Sequence, residues 1–341
     1  MKKYLLKRLV LIVLVLMGVS IITFVISHVI PGSPAAMWVG TKPTQEQLDE
    51  AIRELGLDQP LPIQYINYVK NLVQGDLGVS LRTRRKVSEE LRSRWAATFE
   101  LVSVSLLIAI IIGIPLGVLS ATHKDKPLDH TSRMFSISGV AMPVFWLGMT
   151  LQLLLHGYFD LLPLQGRIDS QVLMDHAIES ITGFYLIDSL LTSNWPGFIS
   201  SVTHMILPAI TMSFASLAIV TRMSRSSMLE VLKEDYIETS QAYGVGKGTV
   251  LYKYALKNAL IPTITVVGLN YGLMLGGSFM VESIFDWPGL GRYTILSIQT
   301  NDFPAIMGVT ILFALTYVVL NLIVDLVYFL IDPRIQTPGG I

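Results

Sequence analysis

The sequence predicts an all-α membrane protein with six transmembrane helices and both ends in the cytoplasm. Three observations lead to this fold class. First, 52% of the 341 residues are hydrophobic and only 15% are charged, which is less charge than soluble domains carry. Second, six apolar segments are each long enough to cross a bilayer, which takes about 20 residues. Third, lysine and arginine are concentrated on one side of these segments, as the positive-inside rule describes.

The six predicted spans belong to a single transmembrane domain of residues 1–341. The first is interpreted as an uncleaved anchor, because its apolar run is too long for a signal peptide and no small-residue cleavage site closes it. The fourth is the weakest prediction, since it carries serine and threonine. The spans are predicted at residues 9–30, 98–119, 134–155, 203–220, 260–281 and 304–331.

The charge distribution sets the orientation. On the outer side, the two later loops carry only Arg167 and Arg292, and the long first loop is expected to translocate whatever its charge. Both termini are therefore predicted to be cytoplasmic. The basic residues that define the cytoplasmic side are Lys2, Lys3, Lys7, Arg8, Lys124, Lys126, Arg133, Arg222, Arg225, Lys233, Lys247, Lys253, Lys257 and Arg334.

The external loop 31–97 is predicted to be helical. Thr44 and Gln47 form a capping box, and a helix follows it up to Gly56. A second amphipathic helix is expected to run to Gly75, and both helices are expected to pack on the outer ends of the spans. A structural lid and a docking surface for an external partner both remain open. The apolar face of the second helix consists of Ile63, Ile66, Val69, Leu72 and Val73.

Three further features are polar or small. The external loop 156–203 mixes aromatic and turn residues and is expected to contain an interfacial or re-entrant segment. Two small-xxx-small patterns, Gly113 with Gly117 and Gly272 with Gly276, predict close helix packing in preference to a pathway lining. Asp325 is an acid inside the sixth span near its cytoplasmic end, where a salt bridge or cap is favoured over a transport role.

Composition and motifs exclude several function classes. The net charge is zero, which gives no basic field for nucleic acid, and the chain has no cysteine for disulfides or thiolate chemistry. No catalytic, metal or cofactor motif is present, so the sequence predicts neither an enzyme nor a cofactor. Residues 244–249 resemble a phosphate loop, but Gly248 separates Lys247 from Thr249, and Gln241 stands where the first glycine belongs.

The cytoplasmic loop 221–259 is the most informative segment. Its residues recur at helical spacing on one mildly apolar face, and Gly244 and Gly246 are expected to end that helix before a second helical run at 250–258. A helical hairpin lying on the membrane is one interpretation. The other is a lever whose end inserts into a groove of another protein. The face consists of Met228, Leu232, Tyr236, Thr239 and Tyr243.

Glu238-Thr239-Ser240 and Gly244 have the spacing of a signature written E-A-A, three residues, then G. On this basis the sequence resembles the permease subunits of binding-protein-dependent ABC importers of the dipeptide, oligopeptide and nickel type. It departs from the signature by replacing both alanines and by Lys257 in place of a later proline. In a separate string, Pro31-Gly32-Ser33-Pro34, Ser33 stands where the family usually has an aspartate. Further matching strings are Leu55-Gly56-Leu57-Asp58, Gly75-Asp76-Leu77-Gly78-Val79-Ser80, Pro143-Val144-Phe145-Trp146-Leu147-Gly148, Leu207-Pro208-Ala209, Leu260-Ile261-Pro262, Pro288-Gly289-Leu290-Gly291-Arg292 and Asp332-Pro333-Arg334.

The resemblance implies the transmembrane domain of a type I ABC importer in the prokaryotic inner membrane. Its implied partners are a second homologous permease in a heterodimer, two cytoplasmic ATPase subunits, an external solute-binding protein and the lipid bilayer. ATP would be hydrolysed by the partners, whose closure would push on residues 234–248. Peptides are the default substrate, with nickel chelates and oligosaccharides left open.

The resemblance also implies an ATPase-coupling role for five residues. Glu238 would anchor the loop by capping or by pairing with a basic group on the ATPase, Thr239 and Ser240 replace the two alanines, Ala242 would allow close approach, and Gly244 would supply a sharp turn. An ion-coupled secondary transporter is the alternative. It would need coupling acids or broken helices near the midplane. An intramembrane hydrolase would need a nucleophile–base pair, and no motif supports one.

Overall fold

A computed structural model describes residues 2–29, 34–40 and 43–331 of the chain. The described residues are helical apart from connecting turns and one isolated β-bridge between Val79 and Lys86. π-Helical stretches at Leu153–Tyr158 and Thr249–Ala255 adjoin two of the helices. The helices are α1 Lys2–Val29, α2 Pro34–Val39, α3 Gln45–Glu54, α4 Leu61–Val73, α5 Val87–Thr122, α6 Pro127–Ala141, α7 Val144–Gln152, α8 Ser170–Asp175, α9 Tyr185–Leu191, α10 Trp195–Val231, α11 Asp235–Ala242, α12 Leu256–Ile284, α13 Leu290–Gln299 and α14 Phe303–Ile331.

Five of these helices are long and apolar enough to cross a membrane: α1, α5, α10, α12 with its π-helical stretch, and α14. A sixth candidate is the pair α6 and α7 with the π-helical stretch that follows, which is bent by 101°. The sequence predicted one unbroken helix there, at 134–155. The break arises at Met142, whose extended backbone (ψ 124°) is the conformation favoured before a proline.

Three sequence predictions concern residues outside the described part of the chain. They are the departure at Ser33, the side chain of Asp325, and the string Asp332-Pro333-Arg334.

The chain folds into two compact units. The first consists of Met1–Ala97 and Pro288–Val319. Within it, the capping box predicted for α3 is confirmed: the Gln47 backbone N–H donates to the Thr44 hydroxyl at 3.3 Å, and the Gln47 side chain accepts from the Thr44 backbone at 3.0 Å. Gly56, with φ +66°, ends this helix as predicted.

Helix α4 forms, but the face predicted to pack is largely exposed. Ile63, Ile66 and Val73 are accessible, and no residue of α4 is fully buried. The contact with α1 is made by aromatic rings instead, since Phe24 lies 5.3 Å from Tyr65 between ring centroids. The prediction relied on the aliphatic side chains of α4, but the aromatic side chains make the contact with α1.

A buried carboxylate organises the remainder of the first unit. Asp302 is fully buried and accepts hydrogen bonds from the Leu81 backbone at 3.0 Å and from the Ser80 hydroxyl. The preceding turn is formed by Gly78, whose φ is +79° and whose N–H donates to the Asp76 side chain at 2.9 Å. The string 75–80 therefore has a local structural role, because it presents its last residue to Asp302.

The second unit consists of Thr98–Trp287 and Leu320–Ile341. Its helices α5 and α10 approach closely at the glycines predicted to pack. A Cβ added at Gly117 would lie 2.5 Å from the Ser224 Cβ and 2.7 Å from the Thr221 backbone oxygen. A Cβ at Gly113 would lie 3.1 Å from Val220. Gly276 differs, because a Cβ there would meet nothing within 4 Å among the described residues.

A buried ion pair connects the loop at residues 156–203 to α5. Arg167 donates to the Glu100 carboxylate at 2.5 Å and to the Gly183 carbonyl at 2.8 Å, and its guanidinium lies 3.7 Å from the centroid of the Tyr185 ring. The same Glu100 accepts from the Leu186 backbone at 2.9 Å. The segment 156–203 is thus an ordered structure with two short helices, which the sequence did not resolve.

The carboxylate of Asp188 accepts hydrogen bonds from other residues of this loop. Its buried carboxylate accepts from the Thr182 hydroxyl at 2.6 Å and from the Thr182 and Gly183 backbones. Burial alone would raise the pKa of Asp188, but these hydrogen bonds together hold it below its ordinary value. A carboxylate with a lowered pKa in the folded protein stabilises the fold above its unfolded pKa. That contribution is lost as the pH falls through the folded pKa.

Gly117→Ala is expected to destabilise the protein, because the added methyl group would overlap the α10 backbone, and overpacking of this kind costs about 1–3 kcal/mol. Gly276→Ala is the matched control, since it adds the same methyl group where nothing lies within 4 Å. Thermal unfolding of both purified variants checks this expectation. Equal melting temperatures would contradict the close packing of α5 on α10.

Candidate functional site

The candidate site is the segment around α11, which the sequence predicts to be cytoplasmic and which contains all five residues singled out by the sequence. Glu238, Thr239, Ser240 and Ala242 lie in α11, and Gly244 follows its end. A turn at residues 232–234 separates α11 from α10, with the Glu234 N–H donating to the Val231 carbonyl at 3.1 Å. Acids in the first turn of α11, Asp235 and Glu238, suit the positive end of the helix dipole.

Gly244 ends the helix in the left-handed conformation, with φ +76°. The Val245 N–H donates to the Ser240 carbonyl at 3.1 Å, and the Gly244 N–H donates to the Gln241 carbonyl at 3.0 Å. These two bonds form a Schellman motif. The sharp turn predicted at Gly244 is therefore present, whereas Gly246 does not adopt the left-handed conformation.

The side chain of Ile237 makes the main apolar contact between α11 and the rest of the second unit. Ile237 is 0% exposed and belongs to an apolar cluster built from three of the long helices and the π-helical stretch. Because α11 carries no other large aliphatic residue, this contact fixes which face of the helix points outward. The other buried members of the cluster are Val118, Ala121, Met228, Val250, Ala255 and Ala259.

The apolar face that the sequence predicted across residues 228–243 is wrong. The prediction treated residues 228–243 as one helix, but the turn before α11 resets the helical phase. Met228 is buried, yet Thr239 and Tyr243 are exposed, the latter by 84%. Ile237, which the prediction missed, could have been found as the only large aliphatic residue between Leu232 and Val245.

The outer face of α11 is exposed and its polar groups are mostly satisfied internally. The Thr239 hydroxyl donates to the Asp235 carbonyl at 2.8 Å, and the Ser240 hydroxyl donates to the Tyr236 carbonyl at 2.7 Å. The Glu238 carboxylate makes no hydrogen bond or ion pair with any described residue. The capping role expected for Glu238 is therefore not observed among these residues.

A second contact steadies the start of α11. The Tyr236 hydroxyl accepts from the Asn258 side chain at 2.7 Å. Beside it lies a cleft of about 300 Å³, to which Ser240, Lys253 and Lys257 also contribute. Together with Ile237, this bond connects α11 to the helix that leads into the fifth predicted span.

A buried ion pair lies on the same side of the second unit. Asp129 is fully buried and receives two hydrogen bonds from the Arg225 guanidinium, at 2.6 and 2.8 Å. It also accepts from the Ser120 hydroxyl at 2.6 Å and from the Asp125 backbone at 3.0 Å. A bidentate pair with its remaining oxygen positions satisfied fixes the orientation of the helices that carry it. The sequence assigned Arg225 to the cytoplasmic side but not to a partner.

The described residues hold no group of three or more His, Cys, Asp or Glu side chains arranged to bind a metal. The candidate site is a surface with Ile237 buried on its inner side and an exposed outer face.

Comparison with known proteins shows which family the chain belongs to. Residues 113–337, about two thirds of the chain, match the family of binding-protein-dependent transport system inner membrane components. The chain belongs to this family. Residues 1–102 match the N-terminal family of the same membrane components.

Individual relatives cover nearly the whole chain. A probable D,D-dipeptide transport system permease of Escherichia coli K12 is 47% identical over 328 residues, which is 96% of each chain. A dipeptide transport system permease of Alkalihalophilus pseudofirmus is 43% identical, over 98% of this chain and 100% of its own. A dipeptide transport system permease of Escherichia coli K12 is 41% identical, over 98% and 99%.

The protein is thus a permease subunit of a binding-protein-dependent ABC importer, with the fold of a type I importer domain. It is a multi-pass plasma-membrane protein and a transport permease, not an enzyme. Membership of this family implies ATPase and binding-protein partners. Nothing in these matches favours the alternative of an ion-coupled secondary transporter.

Ile237→Ala is expected to loosen α11, because removing a fully buried aliphatic side chain costs about 2–4 kcal/mol of local packing. The measurement is hydrogen exchange of the backbone amides of residues 235–245 in the full-length protein. Tyr243→Ala serves as the control, since it removes a larger side chain from an exposed position. Unchanged exchange in Ile237→Ala, or equal acceleration in both variants, would contradict the anchoring role.

Proposed function

We propose that this permease is one of two related subunits that together form the pathway of an ATP-driven importer of small peptides. Its partners are a second, homologous permease, two cytoplasmic ATPase subunits and an external solute-binding protein. The substrate class is carried over from the relatives, whose names state dipeptide or D,D-dipeptide transport. ATP hydrolysis belongs to the ATPase subunits, so no residue of this chain is catalytic.

The observation that carries the proposal is the division of α11 into a buried and an exposed side. Ile237 is fully buried beneath the helix, whereas Glu238, Ala242 and Tyr243 are exposed on it. An exposed short helix with a rigid attachment is suited to insertion into a groove of a partner. In this proposal α11 is the coupling helix, and the groove belongs to an ATPase subunit.

Each of the five residues has a distinct role in this proposal. Glu238 pairs with a basic group of the ATPase, which agrees with its exposed carboxylate and the absence of a partner among the described residues. Ala242, Thr239 and Ser240 keep the contacting surface small, and the two hydroxyls remain bonded to the helix itself. Gly244 ends the helix so that residues 245–248 turn back toward the cluster.

The apolar cluster explains how displacement of α11 would reach the pathway. Its members come from α5 (Val118), α10 (Met228) and α12 (Ala259), as well as from the π-helical stretch (Val250). Close-packed interiors transmit strain instead of absorbing it. Movement of α11 by a closing ATPase would therefore be passed to three spans at once.

Gly244→Val is expected to reduce ATP-driven dipeptide uptake about tenfold or more, since a side chain in the left-handed conformation costs on the order of 1–2 kcal/mol and a β-branched one is worse. The assay uses the complete complex in liposomes, supplied with its binding protein and ATP. Membrane insertion and assembly of the variant, checked by gel filtration, should be unchanged.

Gly246→Val is the matched control, because Gly246 has neither a positive φ nor a neighbouring atom within 4 Å of an added Cβ. It should retain uptake. Normal uptake by Gly244→Val would overturn the coupling role of the turn. Uphill uptake by the permease alone, without any ATPase, would overturn the proposed function itself.

A further inference from the structure

A groove on the cytoplasmic side of the second unit is not part of the coupling surface. It lies between α6 and α10 and has a volume of about 510 Å³. We call it the basic groove. Its walls are formed by Ser132, Arg133, Ser136, Ile137, Val140 and Ala141 from α6 and by Thr221, Arg222 and Arg225 from α10.

The α6 wall changes from polar to apolar along the helix axis. Its residues recur at three- and four-residue steps over about 13 Å, at 1.5 Å per residue, so they form one stripe. The stripe begins with Ser132 and Arg133, next to the cytoplasmic loop, and ends with Val140 and Ala141. A ligand that follows this wall has an anionic or hydrogen-bonding end near the cytoplasm and an apolar end deeper in the membrane.

The polar end carries uncompensated positive charge. Arg225 is neutralised by its bidentate pair with Asp129. Arg133 lies 3.8 Å from the same carboxylate, and its Nη2 lies 2.7 Å from His130 Nδ1, which carries no negative charge. Arg222 is exposed and makes no ion pair with any described residue. The lining thus contains three guanidinium groups and no carboxylate, and the two acids that interact with Arg225, Asp129 and Asp125, leave one positive charge in excess.

A buried hydroxyl in the groove has no hydrogen-bond partner. Thr221 is 1% exposed, and its Oγ1 finds no donor or acceptor among the described residues. A buried polar group without a partner is costly, so a ligand atom that bonds to it is favoured. Thr221 lines the groove, but its Oγ1 is buried, so the hydroxyl reaches a ligand only after its side chain rotates.

We propose that the basic groove binds an anionic phospholipid of the cytoplasmic leaflet. The phosphate is recognised by Arg222 and Arg133, and an acyl chain lies along Ile137 and Val140. The cytoplasmic leaflet supplies such lipids at a negatively charged surface. A soluble anion would satisfy the arginines but leave the apolar wall uncovered, whereas an acyl chain covers it.

The choice of a lipid over an acidic protein segment rests on the exposed apolar side chains beside the arginines. Ile137 is 71% exposed, and Met134 and Val140 are also accessible on α6. An anionic amphiphile matches this order of charge and hydrophobicity along a membrane helix. Lipid binding in the basic groove does not depend on which solute the permease carries.

The test measures lipid retention by the full-length permease in neutral detergent, by native mass spectrometry, during titration with phosphatidylglycerol. Phosphatidylcholine with the same acyl chains and inorganic phosphate are the comparison probes. Phosphatidylglycerol should bind and phosphatidylcholine should not, and phosphate at equal concentration should not displace the lipid. Equal retention of both lipids, or displacement by phosphate, would overturn the proposal.

The double variant R133Q/R222Q should weaken phosphatidylglycerol binding about tenfold or more, because two charge-assisted hydrogen bonds are lost. K124Q/K126Q is the matched control, since it removes two exposed positive charges from the loop just before α6 and outside the groove. It should weaken binding less than about threefold, through the general surface potential alone. Equal weakening by the two double variants would overturn the site.

The variant I137N tests the apolar end without removing charge. Ile137 makes little contact with the rest of the protein, so its replacement removes little internal packing, and a thermal unfolding measurement verifies that the variant remains folded. Weaker retention of phosphatidylglycerol by I137N supports an acyl chain on this wall. Unchanged retention would mean that only a headgroup-sized anion is bound, and the lipid assignment would be wrong.

Discussion

Ile237 packs the short helix α11 against three long ones. An eight-residue helix is not stable in water by itself, because nucleation costs more than so few hydrogen bonds return. Helix α11 therefore depends on tertiary contacts, and its single large aliphatic side chain supplies the principal one. With Ile237 buried, the positions of Glu238, Ala242 and Tyr243 on the outer face are determined. The arrangement of the candidate coupling surface follows from this one contact.

The same end of the second unit contains a polar constraint of a different kind. Arg225 is paired with Asp129 of α6, and Met228, one turn later on α10, enters the apolar cluster. Apolar packing resists separation of the helices but tolerates sliding and repacking. A bidentate ion pair tolerates little rotation, since both guanidinium bonds must keep their geometry. Together the two contacts fix both the distance and the orientation of α10 relative to its neighbours within this unit.

Local signals allowed much of the fold to be predicted. The spans follow from apolar length, and the caps at Thr44 and Gly244 follow from short-range spacing. Features that depend on distant residues were missed. The turn before α11 shifted the helical phase, so the apolar face was assigned to the wrong residues. The partner of Arg225 lies 96 positions away, and no sequence periodicity connects the two. The bend at Met142 could have been predicted, because the following proline disfavours helical backbone.

The hydroxyls of Thr239 and Ser240 indicate which side chains the outer surface of α11 can accommodate. Both Thr239 and Ser240 return their hydrogen bonds to carbonyls one turn earlier, so neither presents an unsatisfied donor outward. To an approaching protein they present only acceptor lone pairs, and they exceed alanine by one heavy atom at Ser240 and by two at Thr239. A small side chain is therefore retained at both positions although each carries a hydroxyl. A pattern search that insists on alanine at these two sites would overlook proteins whose helix ends have the same shape.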